Sequence, residues 1–457
     1  MSIQIKTAAV TGPKTCEILE LTTPDLGRGE VLVKVHAVAL CTLEQRIFRG
    51  EVKMPLPCTG GHEVAGEIAD LGPGVNTKLW AKGQRVAVRL LYNCGECYYC
   101  RTGRTNMCER AQKKPVREGL LPGPGGLCDY IVVDAASLFK IPDTLTYEEA
   151  CLTEPLACCV HSVGRADIQL GEDVVIIGGG IMGQYHVMLA KRRGARVILS
   201  EVDPARRALA ENLGADITLN PMEQDPVEFV KGITDGRGAD VVFNTTAIPS
   251  VVPQAIAMVG KGGRMIQYSS MHPDAPTPVS PQLLHGSEII LTGSISPDGH
   301  DFFTANRLLS GGIIDCKPLI DHTVPFEQAQ AAFEAAIVPG TFRVIVTDCP
   351  CVPGESGEEK ARALPCLGRH RNAAPGLRGH MAFRHNTKPH VVFTNHIILS
   401  LFHTDSDNAM LESPLHHHFI SGGFIWKSKN RANLDLAHVL PSKREAVSAA
   451  PSSPSPV

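Results

Sequence analysis

The apolar positions of this chain do not keep a single period. Residues 31–38, Val-Leu-Val-Lys-Val-His-Ala-Val, alternate well enough to predict a strand, and residues 64–68 and 85–88 predict two more. Turn residues at Gly72-Pro73-Gly74 and Lys82-Gly83 punctuate them. Residues 1–155 therefore read as a strand-rich antiparallel module, either barrel-like or sandwich-like.

Near residue 150 the texture changes. Residues 148–164 carry Ala150, Cys151, Leu152, Leu156, Ala157 and Val160 and predict a helix, with Pro155 marking a kink or a restart. A strand at 174–177 runs directly into Gly178-Gly179-Gly180-Ile181-Met182-Gly183, then a helix to Arg193, then a strand at 196–199. The alternation continues with strands at 240–244, 263–267 and 288–292, a helix at 251–258, and an irregular Pro/Ser-rich loop at 270–281. Beyond lie a helix at 298–309, a strand at 319–324, a helix at 326–336 and a strand at 342–347. The pattern then stops. Ten of the 18 histidines fall in residues 349–457, including His416-His417-His418, yet no zinc-finger spacing organises them. That stretch reads as an atypical, irregular tail, either an appendage or a changed reading frame, and not as a second catalytic domain.

Strand, glycine turn, helix and strand in succession are the context of a dinucleotide site. Gly178 permits the tight turn, Gly180 lets a pyrophosphate approach the backbone, and Gly183 lets helix and strand pack closely, with Ile181 and Met182 opening the helix. Glu201 ends the second strand, where a carboxylate accepts hydrogen bonds from both ribose hydroxyls and repels a 2′-phosphate, so NAD is expected over NADP. Arg206 and Arg207 on the next helix are the competing feature, since either could reach a phosphate. Asp203-Pro204 caps and begins that helix.

Cys94, Cys97, Cys100 and Cys108 are separated by two, two and seven residues, a spacing that lets one short loop turn four sulfurs toward a structural zinc. Two disulfides are the competing arrangement. The composition changes the picture only at its edges. With 457 residues, 43% apolar and 20% charged, two or three domains are expected. A net charge of -3 gives no electrostatic reason for nucleic acid or an anionic membrane as partner. No secretory signal or long apolar run is found, so a reduced, cytoplasmic protein is expected despite 15 cysteines.

From about residue 5 to 348 the chain resembles the medium-chain zinc-dependent alcohol dehydrogenase family, in its polyol (sorbitol-like) and threonine dehydrogenase-like branch. The resemblance rests on Gly61-His62-Glu63-Val64-Ala65-Gly66, the four-cysteine lobe, Glu154-Pro155-Leu156, the glycine turn, and Pro339-Gly340-Thr341-Phe342-Arg343-Val344. It implies an α/β protein with a GroES-like catalytic domain of residues 1–155 completed by 293–348, a doubly wound Rossmann domain at 156–292, and a cleft between them. It implies a second, catalytic zinc held by Cys41 and His62, with Glu63 and Glu154 competing as further ligand or as holder of a bound water. A dimer or tetramer built through the cofactor domains is also implied. The implied reaction is hydride transfer between NAD and a secondary alcohol or polyol; a threonine-like amino-alcohol dehydrogenase and an inactive dinucleotide-binding protein are the alternatives. The family commonly carries Ser or Thr two residues after the first cysteine ligand, whereas here Cys41 is followed by Thr42-Leu43-Glu44. Thr42, Glu44 or water would then replace the proton relay, with Glu44 read more cautiously as a structural carboxylate behind the zinc.

Overall fold

The strand Glu30–Ala39 is buried along nearly its whole length, and it manages this by changing face. Val31, Val33 and Val35 join one apolar core with Ile68, Val86 and Val88, while Ala37 and Ala39 join another with Leu152 and Leu156. A register shift between Val35 and Ala37 exchanges the two sets, as one extra residue in a strand must. The computed structural model describes residues 3–111 and 116–348. The irregular tail expected at 349–457 lies outside the described residues.

This strand is central to a seven-stranded sheet. Its path runs Ile320–Pro325, Arg343–Thr347, Glu30–Ala39, Glu63–Leu71, Arg85–Arg89 and Leu138–Lys140, with Tyr130–Asp134 paired off that path to Glu30–Ala39. A smaller sheet places Gln4–Gly12 between Thr15–Thr22 and Cys58–Thr59. These sheets form the GroES-like β-rich part. Chain order alone does not predict that Arg343–Thr347 pairs antiparallel with residues 37–39, joining the end of the described chain to its beginning.

The second part is a six-stranded parallel sheet ordered Ile217–Leu219, Arg196–Ser200, Asp173–Ile177, Ala239–Asn244, Val259–Gln267 and Ile290–Gly293. The order reverses between Asp173–Ile177 and Ala239–Asn244, which opens the crevice where doubly wound sheets take a dinucleotide. No helix among the described residues is long and apolar enough to cross a membrane.

Several expectations are corrected in detail. Of the kink and the restart expected at Pro155 within 148–164, the restart is found: the segment is two helices, Tyr147–Ala150 and Thr153–Ala166, because Pro155 fits the first turn of a new helix and not the interior of an old one. The expected loop is present over residues 270–280, and it ends in a helix the sequence reading did not include, Pro281–Ser287, capped by the Ser280 side chain on Leu283 N. The last parallel strand is Ile290–Gly293, starting after residue 288, because Glu288 turns to φ 51° at that helix's end. The helix expected from residue 326 opens with a 3₁₀ turn, Phe326–Gln328, before Ala329–Ala336.

One row across the large sheet consists of alanines: Ala37 opposes Ala65, which opposes Ala87. Their small side chains let the helices around residues 147–166 lie close on this face. The neighbouring row is Ala39, Glu63 and Arg89, so burial of the alanine row brings charged side chains under the same helices. On the opposite core, Phe333 of Ala329–Ala336 stacks on Phe48 of the helix Thr42–Phe48, with ring centroids 4.8 Å apart. Both rings are fully buried. Phe333→Ala should cost roughly 3–5 kcal/mol of stability, seen as a lower denaturation midpoint than wild type, because the cavity lies where two helices meet. An unchanged midpoint would show that this contact does not brace the helix.

Candidate metal and dinucleotide sites

Cys41 caps the helix Thr42–Phe48. Its sulfur accepts a hydrogen bond from Leu43 N at 3.2 Å, and the Glu44 side chain returns to Cys41 N at 3.2 Å. Glu44 is almost fully buried and has two further duties: its Oε1 accepts from Gly61 N at 2.9 Å and lies 2.9 Å from His62 Nδ1. With Nδ1 held by a carboxylate, His62 turns Nε2 toward Cys41 Sγ, 3.4 Å away. Glu44 thus sits behind the histidine, as the cautious reading of the sequence had it. Thr42 is exposed and Leu43 is 37% exposed. Among the described residues the Thr42 hydroxyl makes no hydrogen bond, so the geometry brings it to no partner.

Glu63 joins Cys41 and His62 in a group whose ligand atoms all lie within 4.8 Å of one another. Both its oxygens are also engaged by Arg343, from Nε at 3.0 Å and from Nη2 at 2.8 Å. Glu154 borders the group from the buried start of Thr153–Ala166, its Oε2 4.0 Å from His62 Nε2 and its Oε1 receiving the Cys158 thiol at 3.5 Å. Arg343 and Cys158 had no functional role in the sequence reading. Arg343 stands inside the quoted terminal motif, but nothing local announces that its partner is Glu63.

Burial, with Glu44 alongside, pushes the Cys41 thiol up to about 12. Burial also opposes charge on Glu44, but His62 outweighs it and draws the carboxyl down to about 2. On Glu63 burial wins and lifts the carboxyl, against the pull of Arg343. A soft sulfur, an imidazole with its second nitrogen anchored, and adjacent carboxylates fit a divalent zinc ion, which supplies the charge that makes the thiolate favourable.

The second donor set is the lobe of Cys94, Cys97, Cys100 and Cys108, whose sulfurs also lie within 4.8 Å of one another. All four are free thiols, with Cys94 and Cys100 sulfurs 4.0 Å apart, so the two-disulfide arrangement is not formed. Backbone N–H groups point at sulfur: Cys97 N to Cys94 at 3.4 Å, Cys94 N to Cys108 at 3.3 Å, and Arg110 N to Cys108 at 3.4 Å. Such donors, those of Cys100 and Glu109 first, hold the Cys97 thiol down to about 6. Four sulfurs leave no open position, which suits a structural zinc.

In the glycine turn, Gly178 has φ 98°, and a Cβ on Gly183 would meet Gly178 O at 1.9 Å, so neither position admits another residue without rearrangement. A Cβ on Gly180 would meet nothing within 4 Å. The protein itself therefore does not demand glycine at 180, and the space left is what an approaching pyrophosphate needs. Gly180 caps Ile181–Arg192, with Ile181 buried and Met182 half-buried, and its N-terminus faces the same turn. Glu201 is buried, its Oε2 accepting from Gly179 N at 2.5 Å and its Oε1 from Asp203 N at 2.9 Å. It ties the turn to the next helix while each oxygen keeps a lone pair. Arg207 is engaged by the Glu201 and Val202 carbonyls at 2.7 and 2.8 Å. Arg206 lies 5.4 Å over the Phe342 ring, and its Nε has no hydrogen-bond partner among the described residues.

Elemental analysis should find two zinc ions per chain; Cys41→Ser should lose one and keep the lobe filled, whereas Cys97→Ser should empty the lobe and lower the unfolding temperature. A single zinc in saturated wild type would refute the two-site assignment. Glu201→Ala should weaken NADH binding about tenfold or more and narrow the gap to NADPH, read by fluorescence titration. Unchanged affinities would remove Glu201 from cofactor choice.

Comparison with known proteins agrees with both parts. Residues 27–143 match the alcohol dehydrogenase GroES-like domain, and residues 182–311 match the zinc-binding dehydrogenase domain. D-arabitol-phosphate dehydrogenase of Enterococcus avium is 30% identical over 337 residues, covering 73% of this chain and 94% of that protein. Sorbitol dehydrogenase of Bacillus subtilis is 33% identical over 343 residues, with the same coverage of 73% and 94%. The crystal structure of L-idonate 5-dehydrogenase from Escherichia coli superposes with a TM-score of 0.68 at 27% identity, covering 76% of this chain and 99% of that one. With the zinc donor sets and the parallel dinucleotide sheet in place, these matches show that the chain belongs to the medium-chain, zinc-type alcohol dehydrogenase family, NAD-dependent oxidoreductases of alcohol-type substrates.

Proposed function

We propose that this protein interconverts a secondary alcohol, most suitably a polyol, and the corresponding ketone by hydride transfer to and from NAD. The observation that carries the reading is the cluster of Cys41, His62, Glu63 and Glu154, with His62 oriented by Glu44. The relatives named for arabitol phosphate and sorbitol support a polyol. Zinc bound at the cluster supplies a Lewis acid for the reacting oxygen.

The chain's own residues do the rest. Cys41 and His62 hold the metal, and Glu44 keeps His62 from rotating. Arg343 occupies the Glu63 carboxylate and Glu44 is committed to His62 Nδ1, which leaves Glu154 Oε2, 4.0 Å from His62 Nε2, as the arginine-free carboxylate oxygen on the Nε2 side among the described residues. We assign Glu154 Oε2 to accepting the alcohol proton through water, because the Leu43 side chain has no donor or acceptor and the Thr42 hydroxyl has no partner among the described residues. The glycine turn and Glu201 hold the adenosine half of NAD, and burial of the cluster excludes bulk water from the hydride path. Pairing of copies through the cofactor sheets would use its edge strand Ile290–Gly293, where Ile290 is exposed.

Zinc-loaded wild type should reduce NAD with D-sorbitol, D-arabitol or 2,3-butanediol faster than with L-threonine, and Cys41→Ser should abolish turnover. A fully loaded, NAD-binding wild type that oxidises no secondary alcohol in a broad panel would reject the reading in favour of an inactive dinucleotide-binding protein.

A further inference from the structure

Arg89 ends the strand Arg85–Arg89 directly opposite Glu63, so the two side chains share one face of the sheet. That face carries the Cys41–His62–Glu63 cluster. Arg89 is only 6% exposed, and its Nε and Nη2 have no hydrogen-bond partner among the described residues. It forms no ion pair among them either. A guanidinium buried this deeply with idle donors is expensive, and native proteins satisfy such groups with protein, water or ligand.

Besides Glu63 opposite, the groups that act on Arg89 electrostatically include the carboxylates of Asp298, Glu154 and Asp301 and the Cys100 sulfur. Each carboxylate has partners of its own. Glu154 Oε1 takes the Cys158 thiol, and Asp298 Oδ1 accepts from His300 N at 2.8 Å and Asp301 N at 2.9 Å. Asp301 Oδ2 pairs with His161 Nδ1 at 2.8 Å. Their field offsets part of the cost of keeping Arg89 charged, and none of them occupies its fork.

We propose that Arg89 anchors an oxyanion of the substrate, a carboxylate or phosphate carried a few carbons from the hydroxyl that is oxidised. The proposal rests on the reading of the Cys41–His62–Glu63–Glu154 cluster as the oxidation centre. A planar fork presenting parallel N–H donors matches an oxyanion in both shape and charge, whereas a neutral hydroxyl satisfies one donor and leaves the charge uncompensated. The substrate class is then an acidic polyol, an aldonate or a polyol phosphate. The neighbouring carboxylates favour the monoanionic carboxylate over the dianionic phosphate.

Calorimetric titration of zinc-loaded, NADH-bound enzyme with D-arabinonate, D-arabitol 5-phosphate and D-arabitol tests this. Wild type should bind at least one of the two anions about tenfold or more tightly than D-arabitol, and the more tightly bound one identifies the acid. Arg89→Gln should erase the preference, and Arg89→Lys should restore part of it. Arg89→Met serves if the glutamine variant is poorly folded; removing idle buried donors, it should keep or raise the thermal midpoint. Equal affinities in wild type, or an anion preference that survives in Arg89→Gln, overturn the proposal. So does loss of lobe zinc in Arg89→Gln with unchanged affinity ratios, which would make Arg89 a counter-ion of the thiolates. Wild-type turnover separates the two claims: anion binding without oxidation of any alcohol strikes the dehydrogenase reading and leaves the oxyanion site standing, while oxidation of neutral polyols without anion preference does the reverse.

Discussion

Arg343 and Glu63 lie 280 positions apart in the chain and meet as a buried two-point ion pair. Taking both charges out of water is costly, and only the paired geometry offsets it; removing one partner leaves a stranded charge worth about 3–5 kcal/mol. The pair therefore holds the strand Arg343–Thr347 in one register. Next to Arg343, the Val344 carbonyl accepts a hydrogen bond from Leu40 N at 2.9 Å, and Cys41 follows immediately. The return of the chain from the parallel sheet thus sets the backbone from which the first metal ligand projects.

The same pair changes the chemistry around it. A free Glu63 beside Cys41 and His62 would be one more negative charge at the metal; with Arg343 on both oxygens its field is largely cancelled. Glu44 plays the corresponding part for His62 from the other side, and its hydrogen bond to Gly61 N binds the loop that carries the histidine. The alanine row 37, 65 and 87 supplies the room that brings the Glu154 helix down onto these charges. Small residues and paired charges together yield a preorganised polar site inside an apolar core, which is where electrostatic effects are strongest.

Short-range features were legible in the chain. The glycine turn could be read because strand, turn and helix are consecutive, and the four-cysteine lobe because one loop carries every ligand. Cys41, His62, Glu63 and Glu154 were found only through a family resemblance, since ligands scattered over more than a hundred positions have no spacing of their own. The apolar alternation along residues 31–38 indicated a strand, but it could not disclose the face change at His36 or choose between barrel and sandwich, because a strand does not encode its neighbours. Composition located the loop ending at residue 280, but the helix Pro281–Ser287 after it went unread, because Ser280 and Pro281, a cap and a first helical residue, look like more loop.

By itself, then, the sequence determined the two-part α/β architecture, the dinucleotide turn and the thiol lobe, each of which depends on contacts between near neighbours. Only the tertiary structure decided that Arg343 belongs to Glu63, that Glu44 orients His62, and that Arg89 faces the cluster with its donors idle. In each case the partner is chosen by sheet register and by helix packing across the sheet. Register and packing depend on the burial of every side chain at once, so no local pattern of residues can announce them.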